Sequence, residues 1–173
     1  NQLTINDYNE RKDGSHGSKE DFYSYPDKYR SSLLKYAKHA NILITGHYYA
    51  SNSPVLLSVK DVQDPLFNVE VVGDVSCDIA GPIAPTIRPS TIAEPIYGYN
   101  RLTQLEDNYH NNDAIVVMAV DNLPCALPRD ASIHFGEVFI NKVLPDLISD
   151  QNIISRGTIT RNGELTSRFK YLA

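Results

Sequence analysis

Val71–Pro85 reads VVGDVSCDIAGPIAP, and this stretch decides the fold class. With Val69 just before it, the opening is a strand-length apolar run without the alternation of a half-exposed strand. That is the pattern of a strand covered on both faces in a parallel sheet. The run then dissolves into Asp74, Ser76, Cys77, Asp78, Gly81, Pro82 and Pro85. Strand ends that break into polar, Gly/Pro-rich loops are where open α/β sheets hold ligands. The expectation is an α/β chain in which this loop faces a ligand.

Working outward, Asn41–Gly46 and Ala114–Val120 have the same unbroken apolar character, and Gln2–Asn6 adds another strand-like run. Between the first two runs in the chain, PDKYRSSLLKYAKHA (26–40) places Pro26 in a first turn and Tyr29, Leu33, Tyr36 and Ala37 at helical spacing. Strand, helix, strand in that order predicts a right-handed crossover. SPVLLSVKDVQDP (53–65) has room for a short helix before Pro65.

Further on, PRDASIHFGEVFINKVLPDLISD (128–150) is the longest helical pattern, with Ala131, Phe135, Val138, Phe139, Val143 and Leu147 on one stripe. Pro145 is expected to kink or divide it. In GTITRNGELTSRFKYLA (157–173), Asn162-Gly163 separates two short strand-like runs, a strong hairpin signal. The expected architecture is an α/β, mostly parallel sheet to about Pro124, then a long helix and a C-terminal hairpin in another layer or domain.

Composition narrows the partners. A chain of 173 residues with 42% hydrophobic and 21% charged residues suits one globular domain with an appendage. A formal net charge of −5 offers no basic footprint for nucleic acid. Apolar runs such as AIVVMAV are strand length, too short to span a membrane. Cys77 and Cys125 are too few and too far apart for a disulfide framework or metal cluster. No secretory leader pattern opens the chain, and a reduced, cytoplasmic protein is the expectation. The chain lacks an initiator Met and enters a strand-like run at once, as a sequence that starts in the middle of something would.

Several loops could carry chemistry. Asp7 follows the QLTIN run, where the second strand of a doubly wound nucleotide fold ends in the acid that takes the ribose hydroxyls. Arg11 and Lys12 lie close behind, and a nearby Arg favours a 2′-phosphate, so NAD and NADP both remain open. After NILITG come His47, Tyr48 and Tyr49, rings that could cover a base or nicotinamide face. His47 as a general base would need a partner that sequence does not reveal. In AVDNLPCALPRDAS, Asp121 and Asn122 precede a Leu-Pro corner into the long helix. His16, His39, His110 and His134 have no metal-ligand spacing, and no GxSxG elbow points to a hydrolase.

In order along the chain, YPDKY, ILITGHYYASNSPVLL, VVGDVSCDIAGPI with TIAEPIYGY, VDNLPCALPRDASIHFGEVFINKVLPDL and GTITRNGELTSRFKYL resemble the C-terminal part of the lysine-forming saccharopine dehydrogenases and the related lysine-ketoglutarate reductase domains. These belong to the alanine dehydrogenase and transhydrogenase superfamily. The resemblance implies two Rossmann-type domains with a cleft between them, the second binding NAD or NADP. This chain would hold most of that cofactor domain (1–125) and a connecting helix and tail (126–173) that returns toward an N-terminal substrate domain. The implied reaction is reversible oxidative cleavage of saccharopine to lysine and 2-oxoglutarate, hydride passing to the nicotinamide.

Position by position, the resemblance makes Asp7 the ribose acid, Arg11 a further cofactor contact and Tyr48 the tyrosine beside the cofactor. Val75 becomes a backbone contact, and Val120, Asp121, Asn122 and Leu123 the nicotinamide-side loop. Ser76, Cys77 and Asp78 fall in the segment that touches the amino-acid substrate. Arg11 stands where the family has a small hydroxyl residue, and Cys77 where an alanine is usual. The family's catalytic lysine and histidine lie in the N-terminal domain, and neither they nor a Gly-rich phosphate loop is matched here. The chain alone is therefore expected to be catalytically silent. Two other readings stay open: an alanine-dehydrogenase-like enzyme on a smaller amino acid, and a non-enzymatic binding module that keeps the scaffold.

Overall fold

The computed structural model describes residues 2–149 and 153–172. The chain divides into two compact units, Asn1–Leu123 and Pro124–Ala173. The first begins with helix α1 (Ile5–Tyr8), strand β1 (Asn9–Arg11), helix α2 (Lys19–Ser24), strand β2 (Tyr29–Ser31) and helix α3 (Leu34–Ala37). It continues through β3 (Ile42–Thr45), α4 (Val59–Val62), β4 (Val71–Asp74), β5 (Tyr97–Asn100), β6 (Glu106–Asp107) and β7 (Ala114–Met118).

The main sheet has five strands in the order β3-β4-β7-β5-β6. β3, β4 and β7 run parallel, and β5 and β6 add an antiparallel margin beyond β7. The register Leu43↔Val72↔Val117 puts an apolar row on one face. Leu33, Ala37, Leu57, Val62, Phe67 and Ile83 pack with Val72 and Val117 in one buried cluster. Burying a side chain such as Leu57 or Val62 fully contributes about 1.5–3 kcal/mol, and both are completely inaccessible.

The three apolar runs at 41–46, 69–75 and 114–120 do form the parallel strands, but β3 is not covered on both faces. On the opposite face Ile42 and Ile44 are 63% and 73% exposed. Among the described residues β3 stands at the sheet margin with β4 as its one neighbour.

Two early expectations need correction. Gln2–Asn6 is not a strand: the chain forms the α1 turn instead, because Asp7 accepts hydrogen bonds from the Thr4 amide (2.7 Å) and hydroxyl (2.6 Å) and closes a capping box. The helix expected over 26–40 is also interrupted. Tyr29–Ser31 is extended and pairs antiparallel with β1, in the register Asn9↔Ser31 and Arg11↔Tyr29. Ser31 Oγ donates to the Leu56 carbonyl (2.5 Å) and Ser32 Oγ to the Asp7 carbonyl (2.9 Å), long-range contacts that override local helical spacing.

The second unit holds α5 (Pro128–Val138), a π-helical turn (Phe139–Val143), α6 (Leu144–Ser149), α7 (Ile153–Gly157) and the hairpin strands β8 (Thr160–Arg161) and β9 (Glu164–Leu165). Pro145 divides the long helix as expected, through a specific device. It has no N–H for the Asn141 carbonyl, and the turn before it widens so that the Leu144 amide bonds the Phe139 carbonyl. Asp150, the last residue of the expected helix, lies outside the described residues. At the hairpin, Asn162 and Gly163 both have positive φ (54° and 83°), as a two-residue primed turn requires.

Candidate functional site

The carboxyl ends of β3, β4 and β7 gather the residues on which the sequence reading turned. Asp74 ends β4 and is completely buried. Its Oδ1 accepts from Thr45 Oγ (2.8 Å) and the Cys77 amide (3.1 Å), and its Oδ2 accepts from Thr86 Oγ (2.7 Å). One carboxylate thereby ties the end of β3, the loop after β4 and the segment around Pro85. Thr45 and Thr86 are the residues the sequence did not single out; an acid inside an apolar run was the signal that buried partners were needed.

From this anchor the loop departs in strained backbone. Cys77 and Ala80 have φ of 52° and 51°, the left-handed region that costs an L-residue about 1–2 kcal/mol. The turn brings Cys77 Sγ to 3.1 Å from the Ala119 carbonyl. Burial pushes the Cys77 thiol up, and the Asp74, Asp121 and Asp78 charges add to it, so the sulfur stays a protonated donor rather than a nucleophile. Gly81 closes the loop: its amide donates to the Asp78 carbonyl (3.0 Å), and a Cβ there would come within 2.7 Å of that oxygen.

Beside the loop, Ser76 Oγ accepts from the His47 amide at 2.8 Å and lies 3.1 Å from His47 Nδ1. His47 Nε2 stands 3.8 Å from Asp78 Oδ2. His47 thus has Ser76 as its hydrogen-bond partner, with the Asp78 carboxylate near but beyond hydrogen-bond range. Burial pushes its pKa below the ordinary histidine range, opposed by Asp74 and Asp78, so the ring is neutral near pH 7.

Val75 extends the β3–β4 ladder through its amide to the Thr45 carbonyl (2.9 Å), with its side chain exposed. On the third strand, Val120 is buried, Asp121 and Asn122 are exposed, and Leu123 enters a tight turn (Leu123–Ala126). Ser90 fastens this end of the sheet, with its hydroxyl accepting from the Ala119 amide (2.9 Å).

Tyr48 is 79% exposed and forms the rim of a narrow recess of about 10 Å³ lined also by Ile5, Tyr8, Asn9 and His47. That brings the α1 turn carrying Asp7 next to the loop after β3. Asp7 is half-buried and anionic, its carboxyl held low first by the Thr4 hydroxyl and then by the Thr4 amide. Both bonds fall on Oδ2. Arg11 is differently disposed: its guanidinium is claimed by Asp13 (2.9 Å) and by Asp21, which also accepts from the Tyr29 hydroxyl (2.5 Å). A larger concavity, about 530 Å³, lies beside β5 and β6 around the Arg88–Glu106 ion pair and contains none of these residues.

Among the described residues no group of three or more His, Cys, Asp or Glu side chains could hold a metal ion. Among them, too, no helix is long and apolar enough to cross a membrane.

Residues 2–168 match the family described as alanine dehydrogenase/PNT, C-terminal domain. The chain belongs to this family. Among curated relatives, an alpha-aminoadipic semialdehyde synthase of Arabidopsis thaliana is 31% identical, with 98% of this chain and 17% of that protein aligned. The lysine-forming, NAD(+) saccharopine dehydrogenase of Neurospora crassa is 29% identical over 64% of this chain and 27% of its own length. Alanine dehydrogenase 1 of Staphylococcus aureus is 24% identical over 79% of this chain and 35% of its own. The chain therefore spans about a sixth to a third of the length of these family members. The mouse relative, 28% identical over 88% of this chain, is mitochondrial by name, so family membership does not carry the cytoplasmic expectation with it.

Proposed function

We propose that this chain is the cofactor-side portion of an NAD-dependent dehydrogenase of lysine metabolism that interconverts saccharopine with lysine and 2-oxoglutarate. The observation that carries the reading is the convergence of the His47–Tyr49, Val75–Asp78 and Val120–Leu123 loops at one sheet edge, the position where open α/β sheets bind ligands. The Neurospora relative, whose name states NAD(+) and lysine formation, supports the choice of chemistry.

The residues present fit a dinucleotide. Asp7 offers a half-buried anion with one oxygen pinned by Thr4, and among the described residues no hydrogen bond is formed to the other, which suits a ribose diol. Exposed Tyr48 would lie against the bound cofactor, and Val75 would meet it through its backbone. Val120, Asp121, Asn122 and Leu123 would border the nicotinamide, which when bound supplies the hydride acceptor. Ser76, Cys77 and Asp78 would meet the amino acid, with the Asp78 carboxylate taking its ammonium. The connecting helix and tail would return to an N-terminal substrate domain, which would supply the proton-transfer groups.

NAD is favoured over NADP because Arg11 is already engaged by two carboxylates. Asp13 and Asp21 hold the guanidinium through Nε, Nη1 and Nη2, and their negative charges would repel a 2′-phosphate approaching its remaining N–H groups. Titration of the intact protein should give a Kd for NADH roughly tenfold or more below that for NADPH. Equal affinities would show that Arg11 leaves its carboxylates for the phosphate. The reaction itself is tested by NADH oxidation with lysine and 2-oxoglutarate. The intact protein should turn over and the 173-residue chain alone should not. Turnover with pyruvate and ammonia instead would replace saccharopine by a smaller amino acid.

A further inference from the structure

The sequence left His47 without a partner, and the reaction as proposed does not use it. Its side chain is only 6% exposed. Ser76 Oγ already accepts from the His47 amide, so its own hydrogen is available to Nδ1, 3.1 Å away. With Nδ1 accepting, a neutral ring carries its proton on Nε2. That N–H is buried and, among the described residues, has no hydrogen-bond partner. The nearest carboxylate oxygen, Asp78 Oδ2, is 3.8 Å away, outside hydrogen-bond range by under about 1 Å. A buried, unpaired donor 3.8 Å from a carboxylate on a strained loop is an incomplete contact, and a small inward movement of the loop completes it.

We propose that His47 is a positioning residue for Asp78. Ser76 fixes the tautomer, Nε2–H engages Oδ2 as an amino acid binds, and Oδ1 is left turned toward the substrate ammonium. No proton changes hands in this role, and His47 does not touch the reacting atoms. The inference rests on the reading that Asp78 faces the amino acid and adds what orients it.

Two measurements test it. Nitrogen-15 NMR of the histidine rings at pH 7 should find His47 as the Nε2–H tautomer, and Ser76→Ala should abolish that preference. A predominant Nδ1–H tautomer, or an imidazolium, would overturn the proposal without reference to activity. In the intact enzyme, His47→Leu should raise KM for the amino acid about fivefold to tenfold, more than it lowers kcat, and leave KM for NADH unchanged. His47→Gln places an amide N–H near the Nε2 position and should restore the amino-acid KM to within about twofold. If Gln behaves like Leu, or if both substrates' KM values rise together, His47 only fills space. The underlying reading fails separately. An Asp78→Ala enzyme with unchanged amino-acid KM removes Asp78 from the site, whereas a raised KM there with a silent His47→Leu rejects only the positioning role.

Discussion

Asp74→Ala should destabilise the first unit by about 3–5 kcal/mol, measured as the shift in urea unfolding of the chain. The magnitude follows from what the carboxylate holds. Thr45 Oγ, the Cys77 amide and Thr86 Oγ all donate to it, and it is wholly inaccessible. Each stranded buried donor costs about 1–3 kcal/mol, less than additively because a small cavity lets the loop relax. Asp74→Asn keeps an acceptor for some of the three donors and should lose about half as much. A loss below about 1 kcal/mol for the alanine variant would mean that the loop repacks freely and that Asp74 is no hub. Because Cys77 takes a left-handed conformation to reach Asp74, the same variant should also scatter residues 75–78 and weaken cofactor and amino-acid binding together.

Asp78→Ala should behave in the opposite manner, leaving stability almost untouched while weakening one ligand selectively. Its side chain is 38% exposed, and the neutral His47 ring stands 3.8 Å away. Removing a carboxylate that receives a substrate ammonium forfeits a charge-assisted bond of about 1.5–3 kcal/mol, so KM for the amino acid in the intact enzyme should rise roughly 10- to 100-fold. KM for NADH should change less than about threefold. Equal rises in both would place Asp78 on the cofactor side, and no rise in either would take it out of the cleft.

The sequence made some of this legible and hid the rest for identifiable reasons. Unbroken apolar runs marked β3, β4 and β7 because parallel strands bury their inner rows whatever lies around them. Asn162-Gly163 marked the hairpin because its turn admits few other residues. β5 and β6 were missed because YGYN and ED carry no apolar run, and they pair through the β7 edge and a Gly98 that lies too close to the Asp107 carbonyl for any Cβ. The QLTIN run misled because strand propensity there competes with a Thr-x-x-Asp capping box that needs no partner strand. At the site, Asp74 and Asp78 were visible as acids, but the division between a buried anchor and a half-open carboxylate depends on Thr45, Thr86 and Ser76. Those residues are indistinguishable in sequence from any surface hydroxyl.

The bare side of β3 has a consequence for handling the molecule. Its outer rim offers backbone donors and acceptors to a newcomer, flanked by Ile42 and Ile44, and ILIT contains none of the lysines or prolines by which natural proteins discourage such docking. Produced by itself at high concentration, the chain has a ready template for stacking margin to margin, and its solubility depends on the four residues that lead directly into the His47–Tyr49 loop.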